Sequence, residues 1–187
     1  MRILAISGSL RRDSHNTKLL RAAADLLPPG AELVVLDPEA LRAVPHYDED
    51  LREQGEPGPV RELRAAVAGA DAILVATPEY NHSLPGALKN AVDWLSRPIA
   101  DSPFNGKTVA VVGASTGMFG AVWAQAEARK VFGAVGASVI DAELPVVFAH
   151  EQFDAAGGLL DDDVRTTLRD QLATLVAQAS PALAEAA

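Results

Sequence analysis

Five short apolar runs punctuate the chain, at residues 3–6, 32–36, 72–76, 108–112 and 139–140. Apart from Glu32 they carry no charge, and none alternates apolar with polar. That is the pattern of strands buried on both faces. Between the runs, apolar residues recur at helical spacing. Leu19, Leu20, Ala23, Ala24 and Leu27 form one such stripe, Val60, Leu63 and Val67 a second, and Leu88, Val92 and Leu95 a third. Trp123, Ala126, Val131 and Phe132 give a fourth, and Val164, Leu168, Leu172, Leu175 and Val176 line a last helix over 161–179. Strands alternating with helices predict an α/β fold with a parallel sheet wrapped on both sides. In such folds the ligand lies beyond the carboxyl ends of the strands. Residues 37–59 hold Pro38, Pro45, Pro57 and Pro59 and are expected to be irregular. Their segment 45–50, with His46 and Tyr47, is either a cover over a ligand or a solvated surface loop.

Three loops after the first, third and fourth strands fall on that carboxyl edge. The first follows Gly8 and contains Ser9, Arg11, Arg12, Ser14, His15, Asn16 and Thr17 before a helix begins. Unpaired N–H groups of a first helical turn, with the helix dipole, favour an anion there. Ser9, Ser14, Asn16 and Thr17 add short donors, and Arg11 suits a bidentate pair with phosphate oxygens. Capping accounts for one of these residues but not for all of them. The loop has neither G-x-x-x-x-G-K-[ST] nor G-x-G-x-x-G, so neither common phosphate loop is present. A hydroxyl-rich loop suits a terminal phosphate monoester. The second loop, Pro78-Glu79-Tyr80-Asn81-His82-Ser83-Leu84-Pro85-Gly86, presents an aromatic face and amides between two prolines. The third, with Gly113, Gly117 and Gly120 around Ser115, allows close backbone approach to a flat ligand.

Composition narrows the chemistry. The 187 residues are sufficient for one domain with a substantial core, and 16 basic against 25 acidic residues give a net charge of −9. That balance argues against nucleic acid or an anionic membrane as the main partner, and it makes Arg11 and Arg12 more informative. With no cysteine, disulfides, thiolate metal sites and cysteine nucleophiles are excluded. His15, His46, His82 and His150 show no metal-ligand spacing. Asp161, Asp162 and Asp163 suit the start of the last helix rather than a metal. No G-x-S-x-G elbow supports a hydrolase. The first strand starts at Met1, so no signal peptide is expected; no apolar run is long enough to span a bilayer, and the cytoplasm is the expected compartment.

A phosphate held at the first loop and planar surfaces at the other two describe a phosphorylated flat heterocycle, which flavin mononucleotide (FMN) fits. The motifs Gly8-Ser9-Leu10-Arg11-x-x-Ser14-x-Asn16 and Pro78-Glu79-Tyr80-Asn81-x-Ser83-x-Pro85-Gly86-x-Leu88-Lys89-Asn90-Ala91-x-Asp93-Trp94 resemble the two signatures of NAD(P)H-dependent FMN reductases. That family includes quinone, chromate and azo-dye reductases. The resemblance spans nearly the whole chain. It implies one flavodoxin-like domain over 1–187, a three-layer sandwich with a five-stranded parallel sheet in the order 2-1-3-4-5. It implies that Ser9, Arg11, Ser14 and Asn16 bind the FMN phosphate. Pro78, Glu79, Tyr80 and Asn81 would then lie along the isoalloxazine ring, and Ser115 near its pyrimidine end. Two departures stand out. Asp13 replaces a frequent glycine and must point away from the phosphate. Gly120-Ala121-Val122-Trp123-Ala124-Gln125 replaces Gly-Gly-x-Arg-Ala-Gln.

The resemblance further implies a hydride from NADPH or NADH reaching FMN, then electrons leaving to a small-molecule acceptor such as a quinone, flavin, azo dye or metal oxyanion. No general acid is obligatory, and no residue is assigned as catalytic or metal-binding. Backbone N–H groups at 115–117 are expected to offset charge on the reduced ring. A homodimer or homotetramer is expected, with a neighbouring chain helping to close the site. The alternative is a flavodoxin-type FMN electron carrier with no turnover of its own, although the carriers' [ST]-x-[ST]-G-x-[ST] loop is missing. A sensor that reports FMN occupancy is a third reading.

Overall fold

Three of the five apolar runs become strands longer than the runs themselves, taking in Arg2 and Ser7, Thr77, and Gly113 and Ala114. In the computed structural model, which describes residues 1–180, the strands are β1 (Arg2–Ser7), β2 (Glu32–Val35), β3 (Ala72–Thr77), β4 (Thr108–Ala114) and β5 (Ser138–Val139). The helices are α1 (His15–Ala24), α2 (Pro38–Arg42), α3 (Glu49–Glu53), α4 (Gly58–Ala68), α5 (Gly86–Leu95), α6 (Val122–Ala134) and α7 (Asp162–Ala179). The sheet is parallel in the order β2-β1-β3-β4-β5, the flavodoxin-like order that the resemblance implied.

A sixth strand was not expected. β6 (Pro145–Val146) pairs with the far end of β4 through Gly113↔Pro145 and Ala114↔Val146. β5 covers only the start of that edge, at Thr108↔Ser138 and Val109↔Val139. The chain leaves the edge after Ile140 and returns at Leu144, whose carbonyl accepts the Gly113 N–H at 3.2 Å. β5 and β6 thus act as one interrupted edge strand. Two residues beginning with a proline leave no periodic pattern to read.

Alternate residues of each central strand feed two separate apolar layers, which is why the central runs contain no charged positions. Leu4, Ile6, Ile73, Val75, Val109 and Val111 face α4, α5 and α6 through Leu63, Leu88, Trp94 and Phe132. Ile3, Ala5, Leu74, Ala76, Ala110 and Val112 face α1 and α7 through Leu19, Leu20, Leu168 and Leu172. Each fully buried Leu, Ile or Val contributes about 1.5–3 kcal/mol. The layers therefore hold the sheet's carboxyl rim, where the loops emerge, in a fixed frame.

Residues 37–59 are less irregular than their prolines suggest. Asp37 caps α2 and Asp48 caps α3, each accepting a backbone N–H of the first turn. Tyr47 is anchored within its own chain. Its ring packs edge-on against Trp94 at 5.1 Å, and its N–H donates to Asn90 Oδ1 at 2.8 Å. The Pro45 carbonyl accepts from Asn90 Nδ2 and Trp94 Nε1, both at 2.8 Å. The end of the second sequence motif therefore ties this segment to α5. Among the described residues no helix is long and apolar enough to cross a membrane.

Candidate functional site

β1 ends at Ser7 and the chain turns through Ser9 to Ser14 before α1 starts at His15. Ser14 caps that helix, its Oγ accepting the Thr17 N–H at 3.2 Å. Ser9 Oγ accepts the Arg11 N–H at 3.4 Å. Each hydroxyl is used as an acceptor, so its proton is free to donate to something in the loop. Backbone N–H groups of Asp13, Ser14, His15 and Asn16 find no acceptor among the described residues. Four convergent amides, two buried hydroxyls and the Arg11 guanidinium form a cradle for a terminal phosphate. The FMN phosphate fits this donor set.

Asp13 lies on the outer side of the cradle, where its Oδ1 pairs with Lys18 Nζ at 2.7 Å. That ammonium holds the Asp13 carboxyl below the usual carboxylate range. Asn16 is the most committed residue. Its Nδ2 donates to the Ala114 carbonyl at 2.9 Å and its Oδ1 accepts the Ala114 N–H at 3.0 Å. This side chain clamps the start of α1 to the end of β4 while bordering the pocket.

His15 joins the site although the sequence analysis assigned it no role there. The ring stacks on Phe153 with centroids 6.2 Å apart and planes 14° apart. Its Nδ1 is buried without a partner among the described residues. Burial lowers the pKa of His15 below the ordinary value, and Lys18 and Arg11 add repulsion. An unpartnered buried nitrogen beside an anion cradle marks a place where a ligand atom completes the hydrogen bonding.

The loop after β3 builds the facing wall. Tyr80 and Ser83 exchange backbone hydrogen bonds at 3.1 Å, and Asn81 and His82 both adopt positive φ, 55° and 59°. That is a two-residue hairpin turn, a conformation asparagine tolerates well. Glu79 reaches across to the next loop, its Oε2 accepting the N–H groups of Trp123 at 3.1 Å and Ala124 at 3.2 Å. α6 has no cap of its own, because Ala121 occupies the cap position in a left-handed conformation at φ 62°. Gly120 precedes it at φ 55°, and a Cβ there would lie 2.6 Å from Pro145, so only glycine fits.

The loop after β4 closes the third side. Ser115 N–H donates to the Val146 carbonyl at 3.0 Å and Gly117 N–H to Ser115 Oγ at 3.1 Å. Two of the three amides expected to face the ring are therefore engaged. The Thr116 N–H is left, without an acceptor among the described residues.

These walls enclose one pocket, lined by Ser9, Arg11, Ser14 and Asn16 from the first loop, Pro78, Glu79 and Tyr80 from the second, and Ser115 from the third. His15, Ala114 and Thr116 line it as well. Asn81 does not; it sits exposed in the turn beyond Tyr80. The signal for His15 was its place directly after the helix cap, where a first-turn side chain returns towards the loop. Thr116 falls within the 115–117 amides expected from the sequence, and of the three it alone lacks an acceptor among the described residues.

Residues 1–151 match the NADPH-dependent FMN reductase family. Over 176 residues the chain is 42% identical to an NAD(P)H-dependent FMN reductase of Pseudomonas aeruginosa, covering 94% of this chain and 93% of that protein. It is 35% identical over 170 residues to a 2-hydroxy-1,4-benzoquinone reductase of a Burkholderia species, covering 90% and 91%. In structure it resembles the flavoenzyme NAD(P)H:(acceptor) oxidoreductase from Paracoccus denitrificans, with a TM-score of 0.82, 32% identity and coverage of 95% and 96%. These relatives are described as reductases and oxidoreductases, not as electron carriers. A phosphate cradle beside an aromatic wall and this kinship agree: the chain belongs to the NADPH-dependent FMN reductase family.

Proposed function

We propose that this chain is an NAD(P)H-dependent oxidoreductase that holds FMN in the slot between its three carboxyl-edge loops and reduces small acceptors, quinones foremost. The observation that carries this reading is the cradle of free amides and hydroxyls at one end of a slot with an aromatic wall. Ser9, Arg11, Ser14 and the amides of 13–16 hold the phosphate, and Asn16 fixes the helix that presents them. Pro78, Glu79, Tyr80 and Ser115 flank the ring, and Asn81 sets the turn that aims Tyr80. When bound, FMN supplies hydride acceptance from NADPH or NADH and electron release to the acceptor.

The protein's own part is orientation and electrostatics. The free Thr116 N–H offers a fixed donor where negative charge develops on the ring. Glu79 uses its carboxylate on α6, so it holds two walls together rather than exchanging protons. Quinone relatives of similar length support a quinone as acceptor, and the acceptor draws its protons from water. The chain works in the cytoplasm, as a homodimer or larger assembly of identical chains.

Anaerobic mixing of the protein with FMN and NADPH, then NADH, tests this reading. The expected result is bleaching of the flavin absorbance, restored by one equivalent of benzoquinone. No bleaching with either reductant would overturn it.

A further inference from the structure

Arg11 borders a second cavity, of about 330 Å³, whose lining includes Leu10, Arg12, Arg21, Pro38 and Arg42. Four of the twelve arginines of a chain with net charge −9 therefore line one groove. Its two carboxylates are already committed. Asp37 Oδ1 caps α2 by accepting the Glu39 N–H at 3.0 Å, and Glu39 Oε1 pairs with Arg42 Nε at 2.9 Å. Arg42 also donates from Nη2 to the Leu10 carbonyl at 2.7 Å. Arg11, Arg12 and Arg21 have no carboxylate within ion-pair distance among the described residues. Three like charges gathered without counter-ions repel one another, and of the three only Arg21, in the last turn of α1, stands where a helix dipole favours a cation.

We propose that this groove takes the adenosine 2′-phosphate end of NADPH and makes the protein prefer NADPH to NADH. The inference rests on the FMN reading above, because Arg11 is shared. Arg11 lines both cavities, so a dinucleotide whose nicotinamide meets the ring in the first pocket can run past Arg11 and place its adenosine end in the second. Chemistry then selects the ligand. A 2′-phosphate is a terminal monoester with near-double charge and three acceptor oxygens, matched to guanidinium groups. NADH has only a hydroxyl at that position. Leu10 and Pro38 give the groove an apolar stretch on which an adenine can rest.

The two sites also differ as a resident cofactor and an exchanging substrate should. The FMN cradle uses buried hydroxyls and fixed amides. The groove uses exposed side-chain charges, which discriminate while permitting release in each cycle.

The test uses adenosine 2′,5′-bisphosphate and 5′-AMP as probes in calorimetric titrations of the FMN-loaded protein. The bisphosphate is expected to bind at least about tenfold tighter, because charge-assisted bonds to one phosphate are at stake. In the double variant Arg12→Gln/Arg21→Gln that difference should vanish and kcat/KM for NADPH should fall by about a hundredfold. FMN content and kcat/KM for NADH should stay unchanged. Equal binding of the two nucleotides by the native protein overturns the proposal, as does an equal loss with NADH and NADPH. So does inorganic phosphate or coenzyme A binding as tightly as the bisphosphate, which would reveal a general anion patch. A protein that takes up no FMN refutes the earlier reading instead, and the nucleotide titration on that protein still decides for or against the groove.

Discussion

Removing the Asn16 amide orphans two buried backbone groups at once, the N–H and the carbonyl of Ala114. Each costs about 1–3 kcal/mol when left without a partner. Asn16→Ala is therefore expected to lower the unfolding free energy by about 2–4 kcal/mol in urea titrations without flavin. Weakened FMN binding at unchanged stability would instead make Asn16 a simple ligand group. His15 behaves differently, because its proton is the variable. Burial, first, and repulsion from Lys18 and Arg11 lower its pKa in the folded chain, against the pull of Asp13. The unfolded chain then binds the proton more readily, so stability rises with pH. The contribution of neutral His15 is complete above about 6.5 and is lost as pH falls towards the lowered folded value. A phosphate dianion beside Nδ1 reverses the balance and favours the imidazolium. NMR titration of the His15 ring is expected to show a pKa that rises when FMN is added; no rise would mean that Nδ1 faces away from the phosphate. Ser9, Arg11 and Ser14 were legible in the sequence because several hydroxyls and a guanidinium in one short loop exceed what capping needs. Asn81 carries two readings for a physical reason. Asparagine is favoured both at polar ligand walls and at positive φ, and here the backbone angle of 55° accounts for it as a turn residue.

Helix α6 depends on a residue forty-three positions before its first turn. Ala121 at φ 62° supplies no side-chain cap, so the carboxylate of Glu79 closes the N–H groups of Trp123 and Ala124 and meets the positive end of the dipole. Glu79→Ala is expected to cost about 1 kcal/mol. Hydrogen exchange at Trp123 and Ala124 should accelerate while the second half of α6 stays protected. Glu79→Gln, which keeps an acceptor but loses the charge, should lie between. Unchanged exchange in both variants would show that the cap is not what holds the helix. The same bridge explains why the loops after β3 and β4 meet: they are tied by a hydrogen-bonded carboxylate as well as by the sheet. At this scale the central strands were legible because burial on both faces erases every charged position from a run. α2 and α3 were hidden, since five residues show too little periodicity; their Asp37-Pro38 and Asp48-Glu49 starts were the available signal. β6 had no local signal, because its pairing is set by the edge that β5 leaves open.

Over the whole molecule, apolar exposure is concentrated on the rim that carries the site. Tyr80 (51% exposed), Met118 (65%), Phe119 (54%), Trp123 (40%) and Phe148 (45%) all belong to the segments after β3, β4 and β6. The Trp123 ring meets Phe119 at 4.8 Å and His82 at 4.6 Å, so part of this surface is a continuous aromatic face. Patches of that kind on a folded chain mark an interaction surface. A second copy of the same chain is the occupant expected here, and the family difference at Trp123 strengthens the expectation, since tryptophan is favoured at the centre of interfaces. Charge is consistent with it. The net −9 would repel two copies at long range, yet Glu79, the carboxylate beside His82 in the patch, is already committed to α6. Burying a large aromatic side chain is worth about 1.5–3 kcal/mol, and replacing it with a carboxylate adds a desolvation penalty. Phe119→Glu is therefore expected to raise the dimer dissociation constant by at least about a hundredfold, read by sedimentation equilibrium. The Phe119 side chain lines no part of the phosphate cradle, so FMN affinity per chain should change far less than the assembly does. A native protein that sediments as a monomer at every concentration would refute the assignment of this face to self-association. A dimer unaffected by Phe119→Glu would place the interface elsewhere, leaving the aromatic rim free for the acceptor.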